Sequence, residues 1–355
     1  MNTLQEAGLT KSQKLVAYWL LTGVAMTVIQ IALGGITRLT GSGLSITEWQ
    51  VITGSLPPLS EQAWLLEFEK YQQTPQFKLL NFDFTLSEFK FIFFWEWFHR
   101  LWARLIGLVF LVGFVYFLLT KQFDKPMVKP LVVLFVLGAL QGGIGWIMVA
   151  SGLTGDAVYV KPTRLALHFI FALVLLSYTF WFALKLLVPA KAISFQPLIR
   201  KIIWLIVAIL VIQLLYGALM AGHKAATAAA TWPTINGFWL PDGLLRENPI
   251  LINFIDNKIL VHFIHRGLAY ILTILIVWWW IKAKKTALTA TAQLAINIPM
   301  LLVVLQVCLG IFTVLSSTQI IPGKWGIFEW MAQLHQLTGM LLLLAYVYVL
   351  YLIRD

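Results

Sequence analysis

The sequence contains a single cysteine, Cys308, set inside an apolar run. That excludes an internal disulfide, a paired-cysteine metal site and a CxxCH haem-attachment signal. Charge is scarce as well, at 12% of the 355 residues against 60% hydrophobic. A soluble globular fold is excluded, because no core of this size absorbs so much apolar surface. The formal charge of +11 comes from lysines and arginines in short clusters between apolar runs. They build no basic face, so the expected partner is a lipid bilayer and not nucleic acid. The N-terminal MNTLQEAGLTKSQK lacks both the apolar core of a signal peptide and the arginine-rich pattern of a transit peptide, so the first helix is expected to stay uncleaved and the source to be bacterial.

The chain does have long apolar runs. Eight reach the ~20 residues that an α-helix needs to cross a bilayer, near 15–36, 91–120, 129–150, 164–188, 202–220, 259–281, 293–315 and 329–352. The fold class is therefore an all-α integral membrane protein with eight transmembrane helices. The even-numbered connections are short and basic (Lys121, Lys125 and Lys129; Lys191, Arg200 and Lys201; Lys282, Lys284 and Lys285), which places them and both termini in the cytoplasm. The first and fifth connections are long, mixed in charge and rich in Gly, Pro and Trp, as outer loops are. Within the first, LSEQAWLLEFEKYQQ has apolar residues at helical spacing and is suited to the membrane surface.

The chain also repeats. VIQIALG (28–34) returns as VIQLLYG (211–217), FHRLWARLIGL (98–108) as IHRGLAYILTI (264–274), LQGGIGWIMVASG (140–152) as LQVCLGIFTVLSS (305–317), and LALHF (165–169) answers AQLHQ (332–336). Two four-helix bundles, 1–190 and 191–355, related by a pseudo-twofold axis along the membrane normal, account for this pattern.

Four of the six histidines, His99, His168, His265 and His335, fall at matching places in the two halves. Basic residues at the cytoplasmic ends follow them by 17 to 22 positions, roughly 25–33 Å of helix, so all four share one depth near the outer edge of the hydrocarbon. An imidazole in a bundle is costly unless paired or functional, and two on facing helices suit the axial positions of a haem. The competing reading of each is a core histidine bonded to a carbonyl. Zinc would want further ligands, and a proton path has no need of the twofold pattern. Glu96 precedes His99 by one turn, and its repeat equivalent is His262. A carboxylate on one side only breaks the symmetry where a catalytic site would differ from an electron-transfer site; an interfacial glutamate in water is the alternative. Arg100 and Arg266 follow the repeated histidines and can pair with haem propionates or snorkel to the interface. His223 is expected to be solvated, WEW (95–97) and WWW (278–280) to form aromatic belts, and GGIG (142–145) to serve close helix packing.

GGITRLTGSGLSITEWQ (34–50), EWFHR ending at Arg100, the LHF histidine, TWPTINGFWLP (231–241), FIHR (263–266) and QLHQ (333–336), in this order, resemble the haem A synthase family over nearly the whole chain. The resemblance implies an oxidoreductase that converts a methyl group of haem O to a formyl group by successive hydroxylations and loss of water, giving haem A for terminal oxidases. It implies a resident haem b on His265 and His335, the substrate haem O on His99 and His168, and Glu96 as the acid/base or charge-stabilising group. It also implies a haem O synthase and an electron-transfer partner in the bacterial cytoplasmic membrane, and it leaves a homo-oligomer open. The paired outer-loop cysteines of some members are missing here. His262 stands where an amide is often expected, so His262 and His265 both stay open as ligands. Rival readings are a quinol-linked dihaem b-type electron carrier and a haem exporter or chaperone.

Overall fold

The computed structural model describes residues 10–49 and 53–355; residues 1–9 of the N-terminal stretch and Gln50, the last residue of the 34–50 motif, lie outside these. Among the described residues, eight helices are long and apolar enough to cross a membrane. In chain order the helices are α1 (Lys11–Leu39), α2 (Glu61–Gln72), α3 (Pro75–Leu80), α4 (Leu86–Leu119), α5 (Lys125–Ala150), α6 (Pro162–Leu187), α7 (Pro197–Gly222), α8 (Asn253–Asp256), α9 (Lys258–Lys284), α10 (Ala290–Ala295), α11 (Asn297–Ser316) and α12 (Ile327–Leu352). The two short segments α10 and α11 together make the seventh crossing. All-α membrane architecture with eight spans is thus what the sequence pattern anticipates.

The termini of these helices are written locally. α1 and α4 start with reciprocal capping boxes, Thr10 with Gln13 and Thr85 with Glu88, while α5, α6 and α7 carry proline in the first turn, where its missing N–H costs nothing. The cap at Thr85 starts α4 five residues earlier than hydropathy suggests, and the extra turn has a use. Helix α2 folds onto it, Trp64 meeting Phe93 edge-on at 5.0 Å and Tyr71 stacking on Phe89 at 5.3 Å. The aromatic side of α2 therefore packs on protein, while Leu59, Leu65 and Leu66 stay exposed, an apolar surface that suits the membrane interface.

Helix α12 is the centre of the molecule: 67% of its membrane window is buried, against 6% for α4 and for α5. It packs on α11, on α7 and on α6 and α1 of the first half. A single apolar core runs across the division near residue 190, joining Ile31, Leu173 and Leu176 to Ile203, Ile276, Met340 and Tyr346. At the end of the bundle where α1 begins and α12 ends, Ser194–Phe195 pairs in parallel with Ile353–Arg354, and Arg200 donates to the carbonyls of Leu350 and Ile353. These contacts tie the connection between the halves to the C-terminus.

Three local readings need correction. Of the WWW run, Trp279 is fully buried and Trp280 donates to Asn297, so only Trp278 suits an interfacial belt. In GGIG only Gly145 meets a neighbour; Gly142 and Gly143 face open space. His223 is not a loose loop residue either: its side chain is 11% exposed, with Nε2 2.6 Å from the carbonyl of Ile255.

Candidate functional site

Each of the four matched histidines sits against an odd-numbered crossing in the same way. The Cε1 edge of His99 faces Gly34 of α1, His168 faces Gly145 of α5, His265 faces Gly217 of α7 and His335 faces Gly310 of α11. A β-carbon on those glycines would stand 3.2, 2.8, 3.3 and 2.9 Å from the ring, respectively, closer than carbon atoms pack. One turn earlier on each of these helices is a glutamine. Gln30 Nε2 is 3.2 and 3.1 Å from the two ring nitrogens of His99, and Gln141 Nε2 is 3.2 and 3.5 Å from those of His168. Gln213 reaches His265 at 3.5 Å and Gln306 reaches His335 at 3.4 Å. A Gln-x3-Gly unit on one helix and a histidine on the next therefore recur four times. Sequence reasoning missed this quarter-repeat, although VIQIALG, LQGGIG, VIQLLYG and LQVCLG all display it.

The rings of His265 and His335 have centroids 6.3 Å apart and planes at 78°. Two imidazole nitrogens ~2 Å from one metal on opposite sides put ring centres roughly 6–6.5 Å apart. His335 Nδ1 donates to the carbonyl of Gln306 at 3.1 Å, an arrangement that leaves Nε2 to a metal. The donor set of the second half thus fits a bis-imidazole haem. His262 is turned elsewhere: it is fully buried, and its Nδ1 accepts from Arg266 Nε at 3.0 Å.

Glu96 lies on the same helix as His99, but its carboxylate points to the chain that follows α1. That helix ends with Ser42 N–H bonded to the carbonyl of Thr37 and Gly41 N–H to that of Arg38. Such a reversal needs a left-handed residue, supplied by Gly41 at φ 72°. The chain then turns back over α4, and Leu44 fills the space above Gly152 at the end of α5. One Glu96 oxygen accepts from the Ser45 N–H at 2.7 Å, the Ser45 hydroxyl at 2.7 Å and the Ile46 N–H at 2.9 Å. The other accepts from Arg100 at 2.5 Å, whose guanidinium also donates to the carbonyls of Ile46 and Glu48 and lies over Trp49. Only 3% of the glutamate side chain is exposed. Beside this knot is a cavity of about 220 Å³ lined by Arg100, Trp49 and Trp146 among others; Trp146 is next to Gly145, the seat of His168.

The family model described as cytochrome oxidase assembly protein (COX15-CtaA) matches residues 17–347. The chain belongs to that family. Among curated proteins named heme A synthase, that of Nitrosomonas eutropha is 42% identical over 312 residues, covering 87% of each chain. That of Flavobacterium johnsoniae is 40% identical over 345 residues, covering 96% of this chain and 98% of the relative. That of Rhodospirillum centenum is 45% identical over 311 residues, with coverages of 85% and 81%.

Within this family member the second half builds the equivalent of the Glu96–Arg100 pair with inverted chemistry. Arg266, 9% exposed, donates to His262 and to the carbonyls of Ala229 and Thr234, so it clasps the 229–236 loop. Both arginines are thus engaged by the protein itself. The halves are joined close to the histidine seats. Gln333 and Gln336, on either side of His335, donate to the carbonyls of Ala32 and Ile31 on α1 at 3.0 and 3.1 Å, between Gln30 and Gly34. Gly34 serves His99 while Gly35 leaves room for Gln333. Outside the spans, burial pushes the Tyr71 phenol up to about 12; it stays a neutral donor to Gln76, whose amide holds the carbonyls of Gly41 and Val158. Burial, with Arg38 and Lys258 adding like charge, pulls Lys224 down to about 8, and its ammonium lies 3.7 Å from the ring centre of Tyr159.

Proposed function

We propose that this protein is a haem A synthase, an oxidoreductase that converts a methyl group of haem O to a formyl group to give haem A. The observation carrying this reading is a duplicated histidine seat with a carboxylate on one side only: Glu96 and Arg100 beside His99, His262 and Arg266 beside His265. A pure electron carrier gains nothing from such a difference between its two sites. The names of the relatives point the same way.

In this reading His99 and His168 hold haem O in the first half, and His265 and His335 hold a resident haem b in the second. A haem bound there supplies one-electron redox chemistry. The chain's own contribution is positional. Gly34 and Gly145 let the imidazoles come edge-on against α1 and α5, and Leu44 on Gly152 closes the end of the bundle towards water. Glu96, held by four hydrogen bonds, keeps segment 42–46 against α4, and this reading makes its carboxylate, one turn from His99, the acid/base or charge-stabilising group. His265 is the better ligand of the pair left open by the sequence, because it has the Gln213–Gly217 seat whereas His262 is occupied by Arg266. The basic connections support cytoplasmic termini, with the histidine end at the outer face of a bacterial cytoplasmic membrane. A haem O synthase supplies the substrate, and a membrane or outer-face electron carrier removes the electrons.

The test is extraction and chromatography of the haems from purified native protein and from Glu96→Ala, each expressed with a source of haem O. Haem A or its hydroxylated precursor from the native chain, falling sharply in the variant, is the expected outcome. Only unmodified haem b in both would reject the synthase and favour the dihaem carrier.

A further inference from the structure

The two halves differ in how their second and third crossings meet. In the second half α9 packs on α11, Trp280 donating to Asn297 and Val303 sharing a core with Leu272 and Ile276. In the first half α4 packs on α1 and α5 on α6. Among the described residues, α4 and α5 share a core only at the end where α1 begins, Phe117 with Met127, Leu131 and Leu134. Beyond it the two helices stand apart. Only 6% of each of their membrane windows is buried, against 33% for α9 and 17% for the seventh crossing. A β-carbon added at Gly107 on α4, or at Gly138 or Gly142 on α5, would meet nothing within 4 Å. The matching residues of the second half are Thr273, Val303 and Val307, so the same line of the repeat is filled there. Gly138 and Gly142 share a face of α5 with Trp146 and Val149, and Gly107 shares one of α4 with Arg100, two turns away. Arg100, Trp146 and Val149 line the cavity of about 220 Å³ together with segment 46–49, which shows that these two faces look at each other. The gap therefore runs from that cavity towards the Phe117 core, with Leu108, Leu111 and Phe135 exposed along it.

We propose that this gap is the passage through which the substrate haem moves sideways between the bilayer and the seats of His99 and His168, its isoprenoid chain lying between α4 and α5. The proposal rests on the reading of the first half as the haem O site. The gap is continuous with the seat of His168, since Gly142 is one turn from Gly145, which that ring faces. It opens to hydrocarbon and not to water, because segment 46–49 lines the cavity at its histidine end and Leu44 covers Gly152. The half read as keeping its haem has α9 packed on α11 in the same place. Haem O and haem A both carry a long isoprenoid chain, which partitions into lipid, and a sideways path keeps that chain out of water. A substrate has to arrive and its product to leave on every turnover, whereas a resident haem stays. Lipid filling a plain crevice would explain the exposed leucines but not the side chains missing at three positions that the second half fills.

The experiment uses the full-length protein in nanodiscs, purified with its resident haem, and haem O presented in donor vesicles. Uptake is read from the growth of a second low-spin haem absorbance, release from transfer to apomyoglobin, and final occupancy by extraction and chromatography. Wild type is compared with Gly138→Phe, Gly142→Phe and, as a control exposed to 50% on α11, Val304→Phe. Because neither glycine has a neighbour, both phenylalanines are expected to leave the melting temperature and the resident haem unchanged. Uptake and release are expected to slow together by about tenfold or more in the glycine variants, the effect of a modest added barrier on a rate, with final occupancy kept. Val304→Phe is expected to change neither rate. Unchanged rates in both glycine variants, equal slowing in Val304→Phe, or lower occupancy at unchanged rates, which would put the glycines in the seat itself, overturns the passage. A particle mass by light scattering in detergent that falls in the glycine variants alone would assign the gap to a second copy of the chain and overturn it too. The reaction is read separately from the haem products. Slowed exchange with no haem A from wild type rejects the synthase and keeps the passage; haem A formed with unchanged uptake rejects the passage alone; wild type that takes up no haem O rejects both.

Discussion

Glu96 has a structural duty that can be separated from any chemical one. Its carboxylate is the acceptor for two backbone N–H groups, a hydroxyl and a guanidinium, all away from water. In Glu96→Ala, Arg100 keeps only carbonyl partners. Removing one member of a buried ion pair costs about 3–5 kcal/mol, and the amides of Ser45 and Ile46 lose their acceptor in addition. At 1.4 kcal/mol per factor of ten, local opening of segment 42–49 becomes roughly two to three and a half orders of magnitude more frequent. Hydrogen exchange by mass spectrometry on peptides spanning 40–49, in detergent or nanodiscs, reads this directly. Arg100→Ala leaves the carboxylate its three other donors and should accelerate exchange less. The double variant Glu96→Ala/Arg100→Ala should cost less than the sum of the two single changes, with a coupling of ~0.5–3 kcal/mol. Exchange of Ser45 and Ile46 unchanged within threefold in Glu96→Ala would refute the anchoring argument and leave Glu96 with a purely chemical role.

Other consequences follow from the same geometry. Gly145→Ala and Gly310→Ala place a methyl against His168 and His335 and should cost ~1–3 kcal/mol, visible as lower thermal stability and, at Gly310, loss of haem; Gly34→Ala and Gly217→Ala, with more room, should be milder. His265→Ala should abolish the low-spin haem signal, whereas His262→Ala should keep it and speed exchange in the 229–236 loop; the reverse result would reassign the ligand. Gln333→Ala with Gln336→Ala removes two hydrogen bonds between α12 and α1, ~0.5–1.5 kcal/mol each, and should lower the melting temperature in detergent. Between pH 8 and 10.5 the unfolded chain holds the Lys224 proton that the folded chain has released. Stability should therefore rise with pH across that window in wild type and lose that rise in Lys224→Met, as thermal melts at matched salt would reveal.

The spans and the pairing of the histidines were legible because both obey long-range patterns: runs of ~20 apolar residues and one offset between two halves. Features set by a neighbour's side chain were harder to see. Hydropathy does not separate Trp278, facing outward, from Trp279, which Ile276 and Tyr346 enclose. It treats Gly142 and Gly145 alike, though only the second meets a ring. The direction of Glu96 was hidden for a related reason. A position one turn from His99 places its Cα on that face of the helix, but the donors that turn the carboxylate away belong to Ser45 and Ile46, some 50 residues earlier. The quarter-repeat was available in the letters alone. Matching the two halves sets Gln30 against Gln213, 183 residues on, and Gln141 against Gln306, 165 residues on, and never sets Gln30 beside Gln141.

The quarter-repeat changes what needs explaining about the two halves. Four identical seats make the scaffold indifferent to which half reacts, so the difference must come from what surrounds them, and that difference is mainly polarity. After α1 the chain turns N–H groups inward at Ser45 and Ile46, and only an acceptor can satisfy them; Glu96 does so and is neutralised by Arg100. After α7 the chain turns carbonyls inward at Ala229 and Thr234, which satisfy Arg266 directly and leave His262 as an uncharged acceptor. The first half therefore carries a compensated pair and the second an arginine with neutral partners only, on the same helical positions. Exchanging Glu96 and His262 would not transplant the chemistry from one half to the other, because each loop would then face the wrong partner: N–H groups against an imidazole, carbonyls against a carboxylate. A functional swap has to move residues 40–49 with Glu96, and 223–241 with His262.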